Sequence, residues 1–291
     1  MQSQRRFEPV YSFEFFPPKT TEGVEALRRT RKRLAALRPR FFSVTFGAGG
    51  STRDRTFETV VEIQRSSGID AAPHLSCVGS TPESIAEILD QYRAQGIRHI
   101  VALRGDMPSG SSGPGHFRYA NELVEFIRSS HGNHFRIEVA CYPEVHPQAD
   151  NADADLAAFK RKVEAGANSA ITQYFFNPDA YFRFVERCEG LGLDIPIVPG
   201  IMPIVNFKQL ARFSDACGAE IPRWLRKRLV TFADDRDSLQ DFGVDVVTEL
   251  CSDLIEGGAP GLHFYTLNKA ALTERIWKNL GLEAGVCPTA S

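Results

Sequence analysis

The chain has 291 residues, 43% of them apolar and 24% charged, with a formal net charge of −2, the composition of an ordinary globular protein. A near-neutral balance offers no electrostatic footprint for nucleic acid, and no apolar run approaches the length of a membrane span. The opening MQSQRRFEPV leads into no apolar signal core, and Cys77, Cys141, Cys188, Cys217, Cys251 and Cys287 are scattered without a C-x-x-C, which reads as reduced, buried thiols of a cytoplasmic protein and excludes a disulfide framework or a zinc site.

Apolar, β-rich runs alternate with amphipathic, charged runs along the whole chain. A strand is expected over 10–16 (VYSFEFF), a helix over 22–37, a strand over 41–48 (FFSVTFGA) and a helix over 53–66. Next come a strand at 70–78, a helix at 82–95 and a strand at 99–105. That helix opens on Thr81-Pro82 with Glu83 and stops at Gly96. A flexible loop, SGSSGPG at 109–115, precedes a helix at 119–130 and a strand at 136–142. A helix at 153–165 ends at Gly166 and leads to a strand at 169–176. Asn177-Pro178-Asp179 starts a helix at 179–190, which Gly192 closes. A strand at 195–201, a helix at 206–216, a helix pair across 222–256, a strand at 261–267 and a helix at 270–279 complete the chain. RWLRKRLVTFADDRD, within the helix pair, reads as a solvated face and its cap. Eight strands alternating with helices predict an α/β fold, a single (β/α)8 TIM-type barrel over 1–291 with extra helices before the last strand. An open doubly wound sheet is disfavoured, because no G-x-G-x-x-G follows an early strand and GAGGST at 47–52 is neither that fingerprint nor a P-loop.

Glu14 stands out in the first strand, set among Phe13, Phe15 and Phe16. On an exposed edge it would simply face water. In a barrel it lies near the carboxyl end of strand one, where barrel active sites are built. Other strands end in polar groups as well: Thr45, His74, Arg104 with Asp106, Tyr142 followed by Glu144 and His146, Gln173, and His263 with Tyr265. Singly, each has an ordinary reading: His74 as a core histidine, Asp106 as a turn former, Tyr142-Pro143 as a strand stop. Together, at one end of one sheet, they point to a site. His131 and His134 fall at the opposite end and read as loop residues. No metal is expected, and no serine nucleophile elbow is present.

The stretches FEFFPPK (13–19), SVTFGAGGSTRDRT (43–56), APHLSC (72–77), GIRHIVALRGD (96–106), YPEVHP (142–147), KRKVEAGANSAITQYFF (160–176), PGIMPIVNFKQ (199–209) and HFYTLNKA (263–270) occur in this order over nearly the whole chain. Taken together they resemble the bacterial methylenetetrahydrofolate reductase family. The resemblance implies an FAD enzyme that reduces 5,10-methylenetetrahydrofolate to 5-methyltetrahydrofolate. NADH or NADPH would deliver hydride to FAD, leave, and be replaced by the folate in a ping-pong cycle. It also implies a homo-oligomer and, at this length, no C-terminal regulatory domain. Glu14 would be the general acid that opens the methylene bridge, its pKa raised by the three phenylalanines. Asp106 would lie at the flavin pyrimidine edge and the pterin. Thr45, Phe46, Ala48, His74, Arg104, Gly105, Tyr119, Ala120, Tyr142, His146, Ala149, Asp155, Arg161 and Lys162 match FAD-contacting positions. Arg161 and Lys162 are chemically apt for a pyrophosphate, although as sequence alone they read as a helix face. Gln173, Gln209, Phe213 and Lys269 match substrate-binding positions. Two departures stand out: Ala158 replaces a family asparagine, and Lys269 replaces an arginine of some relatives. Two other readings remain at this stage, a barrel aldolase with Lys269 as Schiff-base lysine and a non-catalytic flavin or pterin carrier.

Overall fold

A computed structural model describes residues 1–46, 50–106, 115–232 and 234–282, with residues 50–52 as backbone only. After the short helix α1 (Gln2–Arg5) the strands are β1 (Val10–Phe15), β2 (Phe41–Val44), β3 (Asp70–Ser76), β4 (His99–Leu103), β5 (Arg136–Cys141), β6 (Ser169–Thr172), β7 (Ile197–Val198), β8 (Gly200–Ile201) and β9 (Gly261–Tyr265). The helices between them are α2 (Thr21–Ala35), α3 (Gly50–Ser67), α4 (Pro82–Ala94), α5 (Ala120–His131), α6 (Ala152–Glu164), α7 (Pro178–Gly190), α8 (Phe207–Cys217), α9 (Arg223–Thr231) and α10 (Arg236–Gly257), with α11 (Ala271–Asn279) after β9. All pairs are parallel, in the order β7-β6-β5-β4-β3-β2-β1-β9-β8. This is the expected (β/α)8 barrel, with α8, α9 and α10 before the last strand.

The expected strand at 195–201 is split in two, and the split closes the barrel. Pro199 has no N–H to give a ladder. Before it, β7 pairs with β6; after it, β8 pairs with β9. The Pro199 carbonyl still accepts the His263 N–H at 3.0 Å, and the Gly200 N–H donates to Thr172 Oγ1 at 2.9 Å. The helix α1 was not legible in the sequence. It brings Gln4 into the core, where its amide donates to the Ile195 carbonyl and accepts from the Ile197 N–H at 2.8 Å. The start and stop signals behave as read. Thr81 and Asn177 cap α4 and α7, Gly96, Gly166 and Gly192 take positive φ, and Asp235 of the DDRD run caps α10.

The two faces of the sheet differ in chemistry. Phe13, Phe15, Phe42, Leu75, Ile100, Val139 and Phe264 face the helices in the main apolar layer. The interior face is largely polar. At its amino end, Glu138 accepts from His99 Nε2 at 2.8 Å and from Arg136 Nε at 3.3 Å, and Arg136 reaches Ser169 Oγ at 3.0 Å. Above lies a small apolar plug of Phe41, Ala72, Val101 and Ile171. The carboxyl end carries the candidate site. No helix among the described residues is long and apolar enough to cross a membrane.

Candidate active site

Glu14 projects into the barrel mouth with its side chain 15% exposed. Its Oε2 lies 3.1 Å from His74 Nε2 and 3.5 Å from His263 Nε2. Neither imidazole is aligned for a well-formed hydrogen bond. Ser12 Oγ meets His263 Nδ1 at 2.7 Å and fixes that ring, while Thr266 Oγ1 holds the Glu14 carbonyl at 2.6 Å. Tyr265 sets its ring edge against His263 and donates its hydroxyl to the Thr172 carbonyl at 2.7 Å.

This geometry corrects the expected origin of Glu14 acidity. Strand neighbours alternate faces, so Phe13 and Phe15 turn away toward Phe42, Phe264 and Trp277, and Phe16 is 45% exposed. Burial does push the carboxyl up. The close approach of His74 and His263 outweighs it and holds the group at about 2, below its ordinary 4.5. Glu14 is a member of a carboxylate–imidazole cluster, not an isolated acid in an aromatic pocket.

The same carboxyl end of the barrel holds a cavity of about 360 Å³ lined by Phe46, Ser76, Arg104, Gly105, Asp106, Ala120, Tyr142, His146 and Lys162, among others. A second lobe of about 260 Å³ shares Arg104, Ala120, Tyr142, His146 and Lys162 and adds Tyr119, Ala149, Asp155, Ala158 and Arg161. The fold thus gathers most of the positions matched to FAD around one two-lobed groove. Lys162 Nζ donates to the Ala140 carbonyl at 2.6 Å, and burial lowers its pKa below the usual lysine range. Arg161, next in the chain, is exposed and reaches only the outer lobe. Asp155 accepts the His146 N–H at 2.9 Å and so shapes the loop after β5. Burial holds the Tyr142 phenol protonated, up to about 12. Gly105 has φ +86°, and a Cβ there would fall 1.8 Å from Ser76 Oγ, so this close turn excludes any side chain. The donor set suits a phosphorylated cofactor: Arg104, Lys162 and Arg161 with the N-terminus of α5 at Ala120 match a diphosphate.

Thr45 follows β2, tied to the Phe15 carbonyl at 2.9 Å. Ala48 lies outside the described residues, as does the loop over 107–114. Gln173 accepts from the Tyr174 N–H at 3.0 Å and hydrogen-bonds Tyr142. Gln209 and Phe213 sit one turn apart on α8, with Arg212 over the Phe213 ring at 5.3 Å. Neither residue lines the groove. Lys269 follows β9 and is exposed, whereas a Schiff-base lysine needs a desolvating pocket. Glu144 is turned aside to accept the Glu220 N–H. His131 pairs with Asp90 and His134 meets the Ile97 carbonyl. Among the described residues no group of three or more His, Cys, Asp or Glu could hold a metal. Sequence reasoning named His263 only as one of the strand-end polar groups, with no role, and passed over Ser12, although its period-2 spacing from Glu14 places it on the interior face.

A family model described as methylenetetrahydrofolate reductase matches residues 1–281. A 5,10-methylenetetrahydrofolate reductase of Escherichia coli (strain K12) is 44% identical over 275 residues, covering 94% of this chain and 92% of that one. A methylenetetrahydrofolate reductase (NADH) 1 of Arabidopsis thaliana is 40% identical over 288 residues, 94% of this chain but 49% of that one. Among solved structures, an uncharacterized Clostridium thermocellum protein that binds two copies of 5-methyl-5,6,7,8-tetrahydrofolic acid aligns with a TM-score of 0.64 at 16% identity, over 97% of this chain and 96% of that one. At that identity the likeness concerns the fold.

Proposed function

The chain belongs to the methylenetetrahydrofolate reductase family, and from that premise we propose that it reduces 5,10-methylenetetrahydrofolate to 5-methyltetrahydrofolate with FAD, recharged by NADH or NADPH in a ping-pong cycle. The observation that carries this reading is the Glu14–His74–His263 cluster at the same carboxyl end of the barrel as a groove whose donors suit a diphosphate.

FAD bound in the groove supplies the hydride. Lys162 and Arg104 offer charge-assisted hydrogen bonds to its anionic groups, and Gly105 lets the backbone turn close beside it. Asp106, exposed at the rim, would face the pyrimidine edge of the ring and the pterin. Gln173 serves folate and nicotinamide in turn. Gln209 and Phe213 of α8 and Lys269 after β9 would contact the parts of the folate that extend beyond the groove.

Opening the methylene bridge requires a proton on the departing nitrogen. With the carboxyl held low, Glu14 is ionised while the mouth is open. A folate that seals the mouth excludes water and strengthens the effect of burial on Glu14, which draws a proton to Oε2. Glu14 then passes it to the nitrogen, with His74 and His263 orienting the carboxyl and Ser12 keeping His263 in place. The test is Glu14→Gln. Reduction by nicotinamide should stay near normal, while reoxidation by methylenetetrahydrofolate should fall at least ~10²-fold, the low end for losing a general acid. Equal losses in both half-reactions would overturn the assignment.

A further inference from the structure

The hydroxyls on the interior face near the barrel mouth are largely accounted for. Ser12 Oγ meets His263 Nδ1 at 2.7 Å, Ser76 Oγ donates to the Arg104 carbonyl at 2.9 Å, Thr172 Oγ1 accepts from Gly200, and Tyr265 donates to Thr172. Ser43 is different. It is fully buried and its Oγ has no hydrogen-bond partner. Its position is specific too. Ser43 on β2 is the direct register partner of Glu14 on β1, and register partners on parallel strands project to the same face. Two further buried atoms of the interior lack an aligned partner, His74 Nε2 and His263 Nε2. Both lie against the Glu14 carboxylate. The unsatisfied polar atoms of the barrel interior are therefore concentrated around a single acid.

Packing gives no use for the Ser43 hydroxyl. Its β3 neighbour in register is Ala72, and an alanine at 43 would serve the strand as well. A buried hydroxyl without a partner is costly, so its presence on the same face as Glu14 and in register with it calls for a polar role. The geometry points to Ser43 as a positioning residue that hydrogen-bonds the Glu14 carboxylate through a bridging water, the two side chains making no direct bond, and thereby sets how readily Glu14 takes up its proton. This deepens, and rests on, the reading of Glu14 as proton donor. A bridged donor to the charged form stabilises that form as a direct one would. The other titratable groups facing Glu14 are His74 of β3 and His263 and Tyr265 of β9; Ser43 is the contribution of β2.

The experiment is an infrared titration of the carboxylic-acid band in the purified protein. The part that disappears in Glu14→Gln belongs to Glu14. In Ser43→Ala that part should titrate about one pH unit higher, a tenfold gain in proton affinity for one lost donor. The pH profile of folate-dependent reoxidation should move in the same direction. Ser43→Cys, isosteric with a weaker donor, should fall between the two and carries the test if the alanine variant does not fold. An unchanged titration in either folded variant would overturn the role of Ser43. Full folate-dependent reoxidation in Glu14→Gln would instead remove Glu14 as donor, while the titration would still decide on the Ser43 bond.

Discussion

Replacing Glu138 by glutamine tests the other buried ion cluster, at the closed end of the barrel. Glu138 is 3% exposed and faces His99 at 2.8 Å and Arg136 at 3.3 Å. Burial pushes its carboxyl up, but the hydrogen bond and charge of His99, with Arg136, hold it at about 2 against an ordinary 4.5. At ~1.4 kcal/mol per tenfold, that is worth about 3 kcal/mol of folding free energy at neutral pH. Removing one partner of a buried pair costs a similar roughly 3–5 kcal/mol, because the others are left unpaired. The folded-state value lies below the unfolded one, so the contribution is complete above pH 4.5 and is lost as the pH falls toward 2. Glutamine has no carboxyl to titrate. In denaturant unfolding, the stability gap between wild type and Glu138→Gln should be about 3 kcal/mol at pH 7 and less than half that at pH 3. Comparing the two proteins cancels Glu14, which also sits at about 2 and titrates in both. A gap that stays constant from pH 7 to pH 3 would refute the argument.

Gly200→Ala places a Cβ 2.2 Å from the Thr172 carbonyl and 2.6 Å from the Tyr265 ring. Backbone cannot yield as a flexible side chain can, so the cost should lie at or above the upper end of roughly 1–3 kcal/mol for overpacking, read as a fall in the unfolding midpoint; an unchanged midpoint would contradict the close approach of Gly200 to Thr172. Lys269→Ala should weaken folate binding by about 1 kcal/mol, roughly five-fold, the worth of one exposed charge-assisted contact. The turnover number should hardly move, because a contact far from the reacting carbon contributes uniform binding, and Lys269→Arg should retain affinity. Steady-state kinetics on both variants checks this, and an unaltered folate KM in Lys269→Ala would remove the residue from the site.

Much of the barrel is written in local patterns. Alternating apolar and amphipathic runs, with Thr81, Asn177 and the positive-φ glycines 96, 166 and 192 as punctuation, depend on neighbours within one or two turns, so the sequence alone suffices to place most elements. The gathering of Arg104, Tyr142 and His146 at one end was legible because strand direction in a barrel sends every strand terminus to one rim; Lys162, on α6, read by pattern alone as a helix face. What surrounds each side chain was not legible. The aromatic run around Glu14 suggested an apolar pocket, yet pleating turns Phe13 and Phe15 outward, and the groups that meet the acid come from 60 and 249 residues away, at His74 and His263. Pairing across the β9–β1 and β1–β2 seams also sets Tyr265 and Ser43 beside Glu14. The closure at Pro199 likewise requires knowing which strand accepts each half of the segment. Secondary structure is decided by local sterics and hydrogen bonds, whereas the protonation of a buried acid is decided by a few charges within about 4 Å, and only tertiary register brings those charges together.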